Sequence, residues 1–313
     1  MKIPERAMYR NRRIGVLMGG FSGEKKISRM SGREVVKALR SKGYRAIPIE
    51  VRKNLSQLLR KHKIEVVFNA LHGKIGEDGC VQGLLEVMGI PYTGSGLAAS
   101  ALSMDKILAK ELFVKNRVPT PAYQVVRRGQ SPNEIRLAPP LVVKPRAEGS
   151  TLGVSIVRRR REIPAALARA FKFDSTCLAE KYIPGKEIAV AVLDGKALGA
   201  IEIRPLTGFY DFKTKYTAGM ARHLYPAPLK RGAYRRTLRA AEMASATLEC
   251  EGAPRVDLRV TPEGRVYVLE VNALPGLTPF SLLPEIARAE GISFPDLVEK
   301  ILNGAKLRVH VAR

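Results

Sequence analysis

Residues 255–272 read RVDLRV-TPEGR-VYVLEVN, and they are the most informative segment of the chain. Its two runs alternate and are rich in β-branched residues, and the Pro and Gly between them are placed as in a type I turn. The pattern predicts a β-hairpin. Side chains on a strand reach the same face at every second position. Arg255 therefore shares a face with Asp257, and Glu270 shares one with Asn272.

A loop of residues 262–265 would place Asp257 directly opposite Glu270. Two carboxylates that face each other across a ladder repel and destabilise the pair unless a cation lies between them. Together with the amide of Asn272 they supply the oxygen ligands that Mg²⁺ prefers, and nucleotide phosphates commonly complete its shell. The hairpin therefore predicts half of an ATP site. The competing interpretation is a solvated hairpin face that happens to be charged.

Length and composition indicate a cytoplasmic protein of two or three domains. The chain has 313 residues, which is too long for a single ordinary core. Its hydrophobic content of 45% is normal for a globular protein. No segment approaches the roughly 18 consecutive apolar residues of a membrane helix, and the first dozen residues lack the apolar centre of a signal peptide. Cys80, Cys177 and Cys250 are odd in number and widely spaced, which favours free thiols in a reducing compartment.

The net charge of +25 is the one abnormal bulk property. It is compatible with a nucleic-acid surface, attraction to anionic lipid, or a cell whose proteins are generally basic. Basic residues are spread over the whole chain besides the run Arg158–Arg161, and aromatics are only 6% with no Trp, so little is available to stack bases. We expect a solvated basic surface, with neither nucleic acid nor membrane as a partner. The rival, a nucleic-acid-binding protein, requires tight and salt-sensitive binding without ATP turnover.

The first part of the chain alternates between strand and helix patterns. A glycine-rich turn at residues 19–23 separates the first strand from the first helix. Alternation of this kind predicts a parallel sheet covered by helices. Strands are expected at residues 13–18, 44–51 and 66–70, helices at 28–39 and 55–61, and a domain boundary at 94–96.

The remainder of the chain has a different character. One helix is expected over residues 98–114, ended by the prolines of residues 119–121. Strands and glycine loops follow, so that this part is expected to be of α+β type. The strands are expected at 141–144, 154–157, 178–182 and 187–193, and helices at 231–248 and 294–302 flank the hairpin.

Two further segments have features of a nucleotide site. A buried strand ends at Lys144, and the small-residue loop of residues 146–153 follows; its amides could close over a polyphosphate whose charge the lysine neutralises. Neither G-x-x-x-x-G-K-[ST] nor G-x-G-x-x-G occurs, and an ordinary hairpin turn is the alternative. Glu180 and Glu187 flank an extended linker that could offer backbone groups to a purine edge, while a carboxylate could accept the ribose hydroxyls. Each glutamate could equally be a surface charge.

From about Ile14 to Leu302 the order of these segments resembles the D-alanine–D-alanine ligase family of the ATP-grasp superfamily. The motifs that carry the resemblance are GG…E at residues 19–24, ALHG and GEDG at 70–79, GIPYTGS at 89–95, SMDK at 103–106, EKYI at 180–183, KY at 215–216, and LEVN at 269–272 followed by PG at 275–276. Each motif alone is only modestly specific for the family, but their order and spacing together are strong evidence of the resemblance.

The resemblance implies a Rossmann-like N-terminal domain (residues 1–96) and two ATP-grasp subdomains (97–185 and 186–313). It also implies a reaction. The carboxylate of one D-alanine takes the γ-phosphate of ATP, and the amine of a second D-alanine attacks the acyl phosphate. The dipeptide serves peptidoglycan synthesis and hence cell shape. A cytoplasmic homodimer is implied as well.

The resemblance also implies roles at the nucleotide side of the site. Lys106 and Lys144 would contact phosphates, Lys215 would neutralise charge on the transferring phosphoryl group, and Glu187 would bind the ribose. Two Mg²⁺ ions, or Mn²⁺ as a substitute, would bridge the phosphates. The adenine would be bound by Glu180, Lys181, Tyr182 and Ile183, and the metal ions by Asp257, Glu270 and Asn272.

On the amino-acid side, Glu24 would bind the ammonium of the first D-alanine, with His72 close by. Arg255 and the backbone N–H of Gly276 would stabilise the tetrahedral oxyanion. The remaining roles belong to Ser150 and Tyr216, which would tie a lid to Glu24, and to Ser281 and the Leu282 amide, which would receive the second carboxylate.

A glycine-containing loop, Phe209–Met220, is the expected lid, and its closure would exclude water. In the family a tyrosine at the position of Tyr216 accompanies an amine as second substrate. It argues against the alternative within this class, a ligase that joins D-alanine to D-lactate or D-serine.

Overall fold

The computed structural model describes residues 8–206 and 220–309. Its first sheet has the order β2-β1-β3 and is parallel throughout. The predicted parallel sheet is therefore confirmed. The strands are β1 (Arg13–Gly19), β2 (Arg45–Val51) and β3 (Val66–Asn69), and the helices that accompany them are α1 (Lys25–Ser41), α2 (Leu55–Lys61) and α3 (Cys80–Met88).

The segment expected to form one helix over residues 98–114 forms two, α4 (Leu97–Met104) and α5 (Lys106–Lys115), so that prediction was wrong. Asp105 interrupts the helix with an extended backbone, and its side chain accepts the N–H groups of Ile107 and Leu108. A short acidic side chain competes with the backbone in this way and favours the N-cap over the helix interior. The break places Lys106 at the start of a helix.

A second sheet is antiparallel with the order β4-β7-β5-β6. One face packs on α6 through the side chains of Val143, Ala179 and Leu167. Alternation along the strands turns Lys144 and Glu180 to the opposite face. The elements are β4 (Tyr123–Arg127), β5 (Leu141–Pro145), β6 (Ser155–Val157), α6 (Ile163–Ala170) and β7 (Thr176–Lys181).

The third sheet is also antiparallel, with the order β10-β9-β8-β11-β12. Val256 and Leu258 face α7 and share a core with its alanines, so Asp257 lies on the other face. The elements are β8 (Lys186–Leu193), β9 (Lys196–Pro205), β10 (Ala221–Leu224), α7 (Arg231–Thr247), β11 (Arg255–Val260) and β12 (Val266–Asn272).

The last two helices, α8 (Leu282–Ala289) and α9 (Phe294–Asn303), return to the first part of the chain. Leu297 and Leu302 of α9 are fully buried in the core that also contains Val35 and Leu39 of α1. Lys42 adds ion pairs to Asp296 and Glu299 at the edge of this contact. The N-terminal sheet and the C-terminal helices therefore share one core. Within residues 8–206 and 220–309, no helix combines the length and apolarity needed to cross a bilayer.

Candidate active site

The hairpin of β11 and β12 brings Asp257 opposite Glu270, as predicted, and also places Arg255 opposite Asn272. The predicted loop is one residue too short. The chain turns through residues 261–265, and a register shift after Asp257 leaves Leu269 as an extra residue in β12. A bulge of this kind turns two consecutive side chains to one side, and Leu269 and Glu270 line the same cavity. The longer loop and the bulge compensate, which restores the facing carboxylates.

The two facing carboxylates are already partly compensated by protein cations. Arg255 contacts Asp257 through two nitrogens, at 2.7 and 2.8 Å, and the amide of Asn272 donates to Asp257 at 3.0 Å. The ammonium of Lys106 lies 3.4 Å from Glu270. Since two carboxylates and one amide oxygen make an incomplete shell, the set suits a hard cation that also takes phosphate oxygens. Among the described residues there is no group of three or more His, Cys, Asp or Glu that could hold a metal by itself.

A cavity lies between the second and third sheets; its empty space, including the part open to solvent, is about 840 Å³. Two buried lysines at one side supply positive charge, and Val142, Val154 and Leu269 supply an apolar wall. An apolar slot beside convergent charges suits a flat heterocycle that carries an anionic chain. The predicted residues on its wall are Lys106, Lys144, Ser150, Glu180, Lys181, Tyr182, Ile183, Glu187, Asp257 and Glu270.

Glu180 is held between two lysines beneath this cavity. Its carboxylate lies 2.6 Å from the ammonium of Lys144 and 3.2 Å from that of Lys110. Burial opposes ionisation of Glu180, but the two neighbouring cations outweigh it and lower the pKa of this carboxyl. Desolvation lowers the pKa of Lys110 to about 8, although Glu180 acts in the opposite direction. This Lys110–Glu180–Lys144 triad is the most deeply buried charge cluster of the cavity wall.

Lys110 was missed from the sequence because a lysine within a helix usually lies at the surface. A weak signal existed. Lys110 follows Lys106 by four residues, so the two share a helix face.

Arg259 was also missed from the sequence, although it lies on β11 of the same hairpin as Asp257. Alternation places it on the face of Asp257. Its guanidinium donates to the carbonyls of Ile183 and Gly185 at 3.1 and 2.9 Å, and lies 3.3 Å from a carboxylate oxygen of Glu187. It also lies 5.5 Å from the centre of the Tyr182 ring. Arg259 therefore holds the linker of residues 182–185 against the third sheet, and it pairs with Glu187 on the neighbouring strand β8.

Replacing Arg259 by alanine should raise the dissociation constant of ATP about tenfold, because the linker must then be ordered by the nucleotide itself. Isothermal titration calorimetry measures the constant. Arg265→Ala is the matched control, since it removes an exposed arginine from the same hairpin. Equal ATP affinity of Arg259→Ala and Arg265→Ala would contradict the assigned role.

A second cavity, whose empty space including the part open to solvent is about 720 Å³, adjoins the first and shares Gly149, Ser150 and Glu270 with it. It collects the residues predicted for the amino-acid substrates: Glu24, His72, Ser150, Arg255, Gly276, Ser281 and Leu282. Asn272 and Glu77 line it as well. The two cavities therefore meet at Ser150 and Glu270.

Glu24 precedes α1 and is buried at the floor of the second cavity. The hydroxyl of Ser150 donates to it. Two glycine loops approach it closely: a Cβ at Gly73 or Gly149 would lie 3.0 or 3.1 Å from a Glu24 oxygen. Glycine at these positions therefore permits the carboxylate to be enclosed by backbone.

The opposite wall is the turn before α8. A Cβ on Gly276 would lie 2.7 Å from the Ser281 hydroxyl oxygen, so the absence of a side chain permits this approach. Ser281 accepts the N–H of Thr278 at 3.0 Å and precedes the first residue of α8, Leu282. A helix N-terminus is suited to receive a carboxylate. Glu285 in the first turn of α8 lies 2.7 Å from His223, with which it is paired.

Lys215, Tyr216 and all but the last residue of the predicted lid, Phe209–Met220, lie outside the described residues. Their roles stay predictions.

A cation-lined cleft between two antiparallel sheets, next to a small parallel α/β part, is typical of ATP-grasp ligases. Solved structures agree in fold. One from Bacillus anthracis, described as a D-alanine–D-alanine ligase complexed with ATP, has a TM-score of 0.83 and 36% identity and covers 94% of this chain and 97% of its own. The VanG D-Ala:D-Ser ligase from Enterococcus faecalis has a TM-score of 0.81 and 29% identity, with 93% and 98% covered.

Sequence comparison is more specific. Family models described as the C-terminus and N-terminus of D-ala D-ala ligase match residues 112–303 and 51–95. A D-alanine–D-alanine ligase from Geotalea uraniireducens is 51% identical, with 96% of this chain and 97% of the relative covered. One from Geobacter sulfurreducens is 52% identical, with 95% of each covered. The chain belongs to the D-alanine–D-alanine ligase family, and the predicted resemblance is confirmed.

Proposed function

We propose that this protein is an ADP-forming ligase that uses ATP to join two D-alanines into D-alanyl-D-alanine for peptidoglycan synthesis. One observation carries the proposal: the cation-lined cavity and the second cavity, which is lined by Glu24, Arg255 and Ser281, meet at Ser150 and Glu270. A phosphoryl group on one side can therefore reach a substrate carboxylate on the other. The ATP complex of the Bacillus anthracis relative supports the nucleotide assignment.

On the nucleotide side, Lys106 and Lys144 would contact phosphates, and the linker from Lys181 to Ile183 would border the adenine. Glu180 holds Lys144 in place from beneath. Glu187, fixed by Arg259, would accept the ribose hydroxyls. Lys215 would complete the charge compensation, as the resemblance implies.

The donor set of the hairpin fits Mg²⁺ or Mn²⁺. Asp257, Glu270 and Asn272 present oxygen donors on neighbouring strands, and Lys106 and Arg255 would have to share these carboxylates with the ions. When bound, such ions neutralise charge on the triphosphate.

The amino-acid cavity explains the two chemical steps. Glu24 would hold the ammonium of the first D-alanine, which leaves its carboxylate free to attack the γ-phosphorus near Glu270. The second amine would then attack the acyl phosphate carbon, and phosphate would leave. Arg255 and the Gly276 N–H would stabilise the oxyanion formed in between, while Ser281 and the Leu282 N–H would receive the second carboxylate.

Other features stay predictions of the family resemblance. They are the water-excluding lid with Tyr216, the division of the chain at about residues 96 and 185, the homodimer, and the cytoplasmic location.

A phosphate-release assay tests the function. With ATP and Mg²⁺, release should depend on D-alanine, and chromatography should show one dipeptide formed for each phosphate. A second candidate, D-alanyl-D-serine synthesis, is favoured by the structural likeness to the Enterococcus faecalis ligase. D-serine or D-lactate, offered with limiting D-alanine, discriminates the candidates. A mixed product exceeding D-alanyl-D-alanine at neutral pH would overturn our choice.

A further inference from the structure

A hydrogen-bonded chain runs from the first-substrate cavity into the helix behind it. His72, on the cavity wall, has Nε2 3.0 Å from the hydroxyl of Ser31 and Nδ1 3.3 Å from a carboxylate oxygen of Glu77. Ser31 lies on the inner face of α1 and is fully buried. Because its side chain does not line the cavity, it would touch no substrate.

The same hydroxyl reaches a distant segment of the chain. The N–H of Leu277 donates to the Ser31 oxygen at 3.2 Å, across 246 positions of sequence. Leu277 directly follows Gly276, whose N–H is the proposed oxyanion donor. Ser31 therefore joins His72 to residues 275–277, which we call the oxyanion loop.

The hydrogen bonds around Ser31 are compatible with either direction between Ser31 and His72. A hydroxyl has one proton and two acceptor lone pairs, so the Ser31 oxygen can accept the Leu277 N–H and either donate to His72 Nε2 or accept from it. In the tautomer with its proton on Nδ1, Ser31 donates to Nε2 and Nδ1–H donates to Glu77, and every donor in the chain has an acceptor, as a buried polar network requires. The Leu277–Ser31 bond is the same in both tautomers.

We propose that Ser31 is a positioning residue that holds the oxyanion loop in register with His72. The inference rests on the proposed function, since it takes the Gly276 N–H as an oxyanion donor. Fixing the neighbouring peptide at Leu277 restricts the direction of the Gly276 N–H. A donor so fixed is preorganised for the developing oxyanion and need not reorient during the reaction.

The test is Ser31→Ala. The kcat for dipeptide formation should fall about 10- to 100-fold, the scale of a misplaced reacting group, with the KM for ATP unchanged. Acyl phosphate formation precedes use of the oxyanion donor. Scrambling of oxygen-18 from the β-nonbridge to the βγ-bridge position of ATP, in the presence of D-alanine, should therefore continue at the wild-type rate or faster.

Ser28→Ala is the matched control. Ser28 lies one turn earlier on α1, is equally buried, and also makes two hydrogen bonds, to Gly19 N–H at 2.9 Å and the Ala70 carbonyl at 2.8 Å. Neither of these hydrogen bonds involves His72 or the oxyanion loop. Its loss should lower the melting temperature much as Ser31→Ala does, with kcat within about twofold of wild type.

Ser31→Cys nearly preserves side-chain volume and covers the case in which the alanine variant fails to fold. As a weaker acceptor, the thiol should also slow dipeptide formation selectively. The proposal is overturned if the Ser31 variant slows isotope scrambling and dipeptide formation in proportion, if it leaves kcat within threefold of wild type, or if Ser28→Ala loses as much kcat. Absence of dipeptide with the wild-type enzyme would instead refute the proposed function.

Discussion

Replacing Glu270 by glutamine should lower turnover at least about 1,000-fold, because several kcal/mol of compensation for phosphate charge are lost. Glutamine has nearly the same shape, so the cavity walls should persist. Glu270 also stands where the two cavities meet and 3.4 Å from Lys106. Steady-state phosphate release measures the loss, and calorimetry at several Mg²⁺ concentrations should show weaker metal-dependent ATP binding.

Glu263→Gln is the control for charge alone, since Glu263 is exposed in the turn of the same hairpin. It should turn over normally. If Glu270→Gln retained more than a tenth of wild-type turnover, the assignment of the hairpin as the metal-binding element would be wrong.

Replacing Glu180 by glutamine should reduce the free energy of unfolding by about 3–5 kcal/mol, because two buried ammonium groups would lose their common counter-ion. Lys110 is the more deeply buried of the two, and its pKa already lies at about 8 in the presence of Glu180. Urea denaturation at pH 7 measures the change. A loss below 1 kcal/mol would show that the triad is not an energetic unit.

The sign of the pH dependence of stability follows from the lowered pKa of Lys110. The pKa of Lys110 is lower in the folded than in the unfolded chain, so the unfolded chain binds more protons between about pH 8 and 10.5. Through Lys110, stability then rises with pH in that window. In Glu180→Gln the pKa of Lys110 should fall further, so that the pH range in which stability rises should begin at lower pH. The loss of unfolding free energy relative to wild type should therefore be smaller at pH 9.5 than at pH 7. Adding Lys110→Met should restore at least half of the loss at pH 7, since one uncompensated cation is removed.

The hairpin shows how far local sequence patterns can be used. Alternation in residues 255–272 predicts which side chains share a face, because side-chain period is an intrinsic property of a strand. The facing of Asp257 and Glu270 required an assumed loop as well. The bulge at Leu269 could not be predicted, since bulge position depends on packing against neighbouring strands. The agreement at Asp257 results from two deviations that cancel, a longer loop and an extra residue.

The parts of the site that were missed depend on tertiary contacts. Arg259 is a surface arginine until the linker of residues 182–185 is brought over it, and Lys110 is an ordinary helix lysine until Glu180 faces it. The bond between Ser31 and Leu277 joins residues from opposite ends of the sequence. The helix break at Asp105 is different in kind. A capping aspartate before Lys106 was visible, but the apolar pattern that continued through it suggested one helix.

The return of α8 and α9 to α1 has a consequence for biosynthesis. Once residues 8–96 have emerged from the ribosome, every strand of the parallel sheet is present. The apolar face of α1 is then still without Leu297 and Leu302, which pack in the same core. While some two hundred further residues are translated, that face must be covered by a chaperone or by other parts of the nascent chain. Apolar surface that stays exposed during this time promotes aggregation. The hydrophobic core beside this sheet is therefore completed only when α9 has been synthesised.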